Sequence, residues 1–265
     1  MLSKSKRRLL ERLKRPRQRR REGLILAEGP RVVAEALASR LEIRDAWMET
    51  DVAGTPQGRD LIRAAEDRGV SFTLLDGGAL ADLSHTESPQ AVLAIVAEPS
   101  EADPRLGGDA RVLLLDGVQD PGNLGTLIRS AWGLGLTQVW ITAGSTDPWG
   151  TKAVRASAGA VFHMDLVRME DPDAELRSLT HSLLVADAAG TDIEALDLDP
   201  GRGWILVVGN EGAGPGASVR AQGRTVSIPM SHGMDSLNAA VAGSILMYVL
   251  TRRSRDASLS SPQAP

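Results

Sequence analysis

Residues 112–136, VLLLDGVQDPGNLGTLIRSAWGLGL, constrain this chain more than any other stretch. Val112–Leu115 is a short apolar run that reads as a buried strand, and Asp116-Gly117 breaks it. Asp120-Pro121-Gly122 then turns the chain, and a helix starts at or near Asn123. Leu124, Leu127, Ile128, Ala131 and Leu134 follow the spacing of a core-facing helical stripe. Strand, turn and amphipathic helix make a βα unit, which belongs in a parallel sheet covered by helices. Arg129 lies five residues past Leu124, about 140° around the helix, so it points away from that stripe. Gly122, Thr126 and Gly133 leave its side uncrowded. Two readings stand at this point. Asn123 caps the helix and Arg129 is a solvated charge, or the two belong to a site.

The rest of the chain repeats the alternation of strand and helix. After a basic arm over residues 1–22, in which Leu9, Leu10 and Leu13 allow a short helix, strands are expected at Leu24–Ala27, Ile43–Met48, Ser71–Leu75 and Ala91–Val96. Helices are expected between them at Pro30–Ala38, Asp60–Arg68 and, from a weaker pattern, Gly78–Leu83. Residues 23–98 thus form a small α/β domain. The aperiodic EPSEADPRLGGD sets a linker at 99–110. A second α/β domain spans 111–253, with strands at Val112–Leu115, Gln138–Ile141, His163–Val167, Ser182–Ala186, Trp204–Val208 and Thr225–Ile228. Its helices fall at 123–135, 150–157, 172–180 and 236–252, and a Ser/Pro-rich tail follows over 254–265.

Hydrophobic residues at 42% support such cores, and aromatics at 3% make them aliphatic. The absence of cysteine excludes disulfides, thiolate zinc sites and cysteine catalysis. No apolar run approaches the roughly 18 residues of a membrane span, and no apolar stretch backs the charged N-terminus as in a secretory signal. A soluble, cytoplasmic protein is expected. Between Lys4 and Arg21 lie eleven basic residues against the single acid Glu11, a balance of +10 that leaves −14 on the rest of a chain of net charge −4. A basic arm on an acidic body suits a polyanionic partner. With little to bury over 13–22, the arm is expected to order on that partner.

Two further segments carry chemistry. In WILVVGNEGAGPG, residues 204–216, a buried strand enters a loop with Gly209, Gly212, Gly214 and Gly216 around Asn210 and Glu211. Its spacing is not that of a dinucleotide fingerprint, and Glu211 would repel a pyrophosphate. The loop suits a ligand without phosphates, or is a tight turn capped by Asn and Glu. In VSIPMSHGMDSLNAAVAGSILMYVL, residues 226–250, Ser236 takes the N-cap position of a long helix with Leu237 and Asn238 in its first turn. Leu237, Val241, Ile245 and Tyr248 form one apolar stripe, and Ala242, Leu246 and Val249 another. Such a helix is buried in the fold or against a second subunit. His85, His163, His181 and His232 stand singly with no ligand spacing, so no metal is expected.

In this order and at these separations, GVQDPGNLGTLIRSAWGLG, VVGNEGAGPG and SIPMSHGMDSLNAAVAGSILMY resemble the motifs of the SpoU/TrmH branch of the SPOUT RNA methyltransferases. The resemblance implies S-adenosylmethionine-dependent methylation of a ribose 2′-hydroxyl in RNA, ribosomal RNA ahead of tRNA. It implies an α/β SPOUT domain with a parallel sheet and a deep C-terminal trefoil knot, acting as a homodimer. The first hundred residues resemble the family's small RNA-binding domain of ribosomal-protein type, most clearly at RRREGLILAEGPRVVAEAL, residues 19–37. By position, Asn123 and Arg129 match the polar pair of the first motif, and Glu211 the acidic residue of the second. Ser236 and Asn238 match the Ser-Leu-Asn of the third. Gly209, Ile228, Met230 and Leu237 match positions that hold the cofactor. Ser231-His232-Gly233 and Pro215 depart from the family pattern and leave the loop shapes open.

Methyl transfer to a hydroxyl is an in-line displacement, in which orientation alone can contribute roughly 7–11 kcal/mol. An arginine stays protonated, which suits Arg129 to clamping a phosphate rather than to removing a proton. Asn123 and Ser236 would fix the ribose, and the target phosphate would accept the proton. His232 is an alternative base. Two other functions fit parts of the sequence: a catalytically silent RNA-binding or ribosome-assembly factor, and a nicotinamide-dependent enzyme, which the glycine spacing and Glu211 disfavour.

Overall fold

Leucines at positions 9, 10 and 13 decide how the basic N-terminus behaves. In the computed structural model they face inward from α1 (Lys4–Leu13), a helix whose first turn is capped by Ser3 Oγ accepting from the Lys6 amide at 3.3 Å. Leu10 and Leu13 are fully buried among Leu26, Trp47, Leu93 and Ile95. Pro16 opens α2 (Pro16–Glu22), and Gly23 ends it at φ +61°. The arm expected to order only on a partner is therefore already folded. Its heptad-like leucines supply the apolar face that composition alone concealed. The structure describes residues 2–81, 91–104, 106–177, 179–199, 202–231 and 236–260, without the side chains of 255–260.

The chain divides into two compact units, the first comprising residues 1–100 and 147–163. After α2 the first unit runs β1 (Leu24–Glu28), α3 (Pro30–Ala38), β2 (Ile43–Glu49), α4 (Thr50–Ala53), α5 (Pro56–Glu66), β3 (Phe72–Leu75) and β4 (Val92–Ala97). The sheet order is β1-β4-β2-β3, with β4 antiparallel to both neighbours and β2 parallel to β3. The helix expected over Gly78–Leu83 is turn in its described part, and its end, like His85, lies outside the described residues.

The second unit opens with β5 (Arg111–Asp116), α6 (Pro121–Gly133) and β6 (Gln138–Thr142). Asp147–His163, with α7 (Thr151–Ala156), packs within the first unit. There His163 Nε2 lies 3.0 Å from Glu35 Oε2 and Asp147 pairs with Arg19. That partnership is why the strand expected from His163 begins only at β7 (Asp165–Met169). Then follow α8 (Pro172–Arg177), β8 (Ser182–Asp192), β9 (Trp204–Gly209), α9 (Ala217–Gln222), β10 (Arg224–Ser227) and α10 (Ala239–Ser260). The six strands are all parallel, in the order β10-β8-β9-β5-β6-β7. From β5 the chain builds outward through β6 to β7, then crosses to the other side for β8, β9 and β10. The order reverses between β5 and β9, where a parallel sheet opens a crevice at the carboxyl ends of its strands.

Both expected helix caps move. α6 begins at Pro121, because Asp120 Oδ1 accepts from the Asn123 amide at 2.7 Å, so Asn123 is not the cap. α10 begins at Ala239, because Asn238 Oδ1 accepts from the Ala240 and Val241 amides at 2.9 and 3.3 Å, so Ser236 is not its cap. α10 also runs past the expected end at 252 and through Ser260. Arg253 donates to the Ile193 and Leu196 carbonyls at 2.7 and 2.6 Å, and Ser254 Oγ donates to the Leu250 carbonyl at 3.0 Å, which hold the start of the supposed tail. Residues 261–265 lie outside the described residues. α10 sits close on α6 and β9. A Cβ at Gly243 would stand 2.5 Å from Leu127 Cδ2, and the Ser130 and Ser244 hydroxyls meet at 2.8 Å. Leu246 and Val249 are buried, while Val241, Ile245 and Tyr248 are 47%, 37% and 56% exposed. Among the described residues no helix is long and apolar enough to cross a membrane.

Candidate active site

The carboxyl ends of β10, β8, β9 and β5 supply the site. At the end of β5, Asp116 Oδ1 accepts from Thr142 Oγ1 at 2.8 Å and Oδ2 from the Gly216 amide at 2.7 Å. This ties the strand end to the far side of the glycine loop. Gly209 ends β9 where the loop folds back, and a Cβ there would stand 2.1 Å from the Pro215 nitrogen, so only glycine fits. Asn210 organises the turn. Its Oδ1 accepts from the Gly212 and Ala213 amides at 2.9 and 3.0 Å, and its Nδ2 donates to the Gly117 carbonyl at 3.1 Å. The loop is thus fixed before any ligand arrives.

A cavity of about 370 Å³ lies against this loop, within the volume range of small-molecule sites. Val208, Ile228, Leu237 and Leu246 give it an apolar wall, and Gly209, Glu211, Met230 and Ser236 also line it. The residues suit S-adenosylmethionine. The wall is apolar enough for an adenosine, the lining carboxylates Asp187 and Glu211 would favour a cationic sulfonium and ammonium over a phosphate, and Gly209 permits close approach.

Glu211 holds the three motifs together. Its Oε1 accepts from the Asp120 amide at 3.2 Å and from Asn123 Nδ2 at 3.0 Å, and its Oε2 from the Gln119 amide at 3.3 Å. Asn123 Oδ1 in turn accepts from Asn238 Nδ2 at 3.0 Å, and Asn238 caps α10. Burial pushes the Glu211 carboxyl up, but hydrogen bonds from Asn123 and from the amides of Glu211, Asp120 and Gln119 outweigh it, so the group titrates below its ordinary value. Glu211 is ionised at neutral pH and serves as a structural acceptor.

Asn123, Glu211 and Asn238 therefore meet, and Gly209, Glu211, Ile228, Met230, Ser236 and Leu237 share the cavity. Arg129 joins neither group. It is exposed on α6, makes no side-chain hydrogen bond or ion pair with a described residue, and does not line the cavity. His232 lies outside the described residues. His181 Nε2 sits 2.9 Å from the Gly107 carbonyl. The sequence reading missed Asp187 and its neighbours Ala186 and Ala188, which also line the cavity. β8 runs on to Asp192 and shifts register against β10, pairing Val185 with Thr225 but Thr191 with Val226, so residues 186–190 swing out of the ladder. Asp187 there accepts from the Ala189 amide at 2.8 Å and pairs with Arg220. The available signal was positional, since these residues end a parallel strand beside the glycine-loop strand.

A parallel sheet whose switch-point crevice holds a cavity lined by the second and third sequence motifs, with the first joined to them through Glu211, defines a small-molecule-dependent enzyme of α/β class. The chain matches the SpoU rRNA Methylase family over residues 110–248 and the MRM3-like substrate binding domain over residues 4–94. Among curated relatives, the 23S rRNA (guanosine(2553)-2′-O)-methyltransferase RlmP of Bacillus subtilis (strain 168) is 30% identical over 236 residues, covering 88% of this chain and 91% of that protein. Among solved structures, the SpoU methyltransferase AviRb from Streptomyces viridochromogenes, in complex with the cofactor AdoMet, superposes with a TM-score of 0.82 at 26% identity, covering 98% of this chain and 100% of that one. An AdoMet-bound rRNA methyltransferase from Sinorhizobium meliloti gives 0.81 at 25% identity, covering 95% and 96%. The chain belongs to the SpoU rRNA methylase family.

Proposed function

We propose that the protein methylates a ribose 2′-hydroxyl of large-subunit ribosomal RNA with S-adenosylmethionine. The observation that carries this is the continuous link from Glu211 through Asn123 to Asn238, which joins the three motifs, with Glu211 itself lining a cofactor-sized cavity. The bound cofactor supplies an electrophilic methyl group. Gly209, Ile228, Met230 and Leu237 hold it, and Asn123 and Ser236 orient the ribose. Arg129, a permanent cation without a partner among the described residues, clamps the target phosphate and favours developing negative charge at the attacking oxygen. The phosphate accepts the proton, because a guanidinium has none to gain.

A homodimer fits the same reading. Val241, Ile245 and Tyr248 recur on one side of α10 and are exposed, an apolar stripe that a second copy of the chain would cover. The reading also carries the knotted C-terminal chain path that the family resemblance implies, and a cytoplasmic setting beside ribosomal RNA.

The test is methyl transfer to unmodified 23S rRNA, read by nucleoside mass spectrometry, with Arg129→Ala and Tyr248→Glu alongside. The wild type should yield one 2′-O-methylnucleoside. Arg129→Ala should lose at least about a hundredfold in turnover, on the order of 3 kcal/mol, while binding cofactor within about twofold. Tyr248→Glu should sediment as a monomer. Transfer to tRNA alone, or full turnover in Arg129→Ala, would overturn the assignment.

A further inference from the structure

Ten of the eleven basic residues between Lys4 and Arg21 are sorted by the fold into two sets. One set is paired with carboxylates within the first unit. Lys6 pairs with Asp45, Arg12 with Glu22, Lys14 with Glu11, and both Arg19 and Arg20 with Asp147. Arg19 is only 2% exposed and also donates to the Leu13 carbonyl at 3.3 Å, so it spans from α2 back to the end of α1. The other set faces water. Lys4, Arg8, Arg15, Arg17 and Arg21 are exposed, and their side chains make no hydrogen bond or ion pair with a described residue.

These free charges are held on a rigid frame. Leu10 and Leu13 anchor α1 in the core, and Arg19 anchors α2 through Asp147. Arg17 and Arg21 stand one helical turn apart and so share a side of α2. No large hydrophobic side chain is exposed on either helix, which leaves nothing to insert into a lipid surface. Such a cluster suits a regularly spaced polyanion whose partners are phosphates rather than bases.

We propose that the exposed cations of the α1–α2 pair, Arg15, Arg17 and Arg21 foremost, grip the phosphate backbone of the structured RNA substrate, with Arg19 as the buried strut that positions them. This rests on the RNA-methyltransferase reading and adds where the substrate is held. The contacts supply affinity without sequence choice, and their strength falls as salt rises.

The test is equilibrium binding of the full chain to a 23S rRNA fragment from about 50 to 200 mM KCl. Each lost phosphate contact removes about 0.7–0.9 from the slope of log K against log salt. Arg15→Gln/Arg17→Gln/Arg21→Gln should therefore flatten the slope by about 2–3 and weaken binding more than about tenfold near 100 mM, with cofactor affinity and Tm unchanged. Arg40→Gln/Arg44→Gln/Arg63→Gln removes the same charge elsewhere in the first unit and should change the slope by less than about 1. Arg17→Gln alone should flatten it by about 1, whereas Arg19→Gln should lower Tm and also weaken RNA binding by the folded protein, because the cations it positions are no longer held.

An unchanged slope in the first triple variant, or equal flattening in the second, would overturn the proposal while the methylation reading stood. So would anionic vesicles that bind the wild type and lose it in the first triple variant while RNA binding holds. A wild type that binds cofactor but no RNA would sink both.

Discussion

Glu211 and Arg129 carry the two signs of charge in the motif set, and the fold treats them oppositely. Glu211 accepts from two backbone amides and the Asn123 side chain, while Arg129 has no partner among the described residues. The first is machinery that the chain completes by itself; the second waits for a group the substrate brings. Hydrogen bonds made in advance spare a site the cost of ordering when its ligand binds. A clamp for phosphate gains nothing from an internal carboxylate that must first be displaced. Arg19 and Arg17 repeat the contrast in the first unit, one buried on Asp147 and the other exposed. Completed and waiting parts should therefore fail differently under mutation.

Gly209→Ala strikes the completed part hardest. Its Cβ would fall 2.1 Å from the Pro215 nitrogen and 2.4 Å from the Gly214 carbonyl carbon, both backbone atoms that can yield only if the loop moves. Overpacking of this kind costs about 3 kcal/mol, roughly a hundredfold in cofactor Kd. Calorimetric titration with S-adenosylmethionine checks it, and RNA affinity should stay within about twofold. A variant that bound cofactor normally would show the loop to be looser than its hydrogen bonds imply.

Glu211→Gln should act next most strongly. Glutamine offers one oxygen where the carboxylate offers two, so its amide group would face the Gln119 or Asp120 amide, donor against donor. A loss of about 1 kcal/mol, roughly fivefold in cofactor Kd, is expected for this exposed group. The pH dependence gives a second reading. Because the folded carboxyl titrates below its ordinary value, its contribution is present above the unfolded value and is lost as pH falls through the folded one. The difference in Tm between wild type and Glu211→Gln should therefore be full at pH 7 and shrink as acid protonates Glu211. A constant difference would mean that the link acts by shape alone.

The completed part was also the legible part. Apolar runs at Val112, Gln138 and Trp204 placed three strands of the parallel sheet, and the three motifs named Asn123, Glu211 and Asn238 before any contact was visible. What the sequence hid was long-range pairing. Nothing in DAAG, residues 187–190, announces that Asp187 swings beside the glycine loop, because that follows from a register shift against β10. Nor does the charge run at the N-terminus reveal that Arg19 turns inward, since its partner Asp147 lies 128 residues away. Periodicity reports which face is apolar; it cannot report which distant carboxylate pairs with one arginine among eleven basic residues.

The smallest effect tests the correction at the start of α10. Ser236 and Asn238 are both good cap residues two positions apart, and propensity does not choose between them. The structure does, since Asn238 Oδ1 accepts from the Ala240 and Val241 amides while Ser236 lines the cavity. Asn238→Ala should cost about 1 kcal/mol and lower Tm by about 2–4 °C, whereas Ser236→Ala should stay within about 0.5 kcal/mol. Asn238→Asp separates two roles, because aspartate keeps the cap but cannot donate to Asn123 Oδ1. It should restore most of the lost Tm while leaving turnover impaired. Equal Tm losses in the two alanine variants would return the cap to Ser236. Full turnover in Asn238→Asp would show that the Asn123–Asn238 bond is a bystander to the chemistry rather than part of what the fold completes in advance.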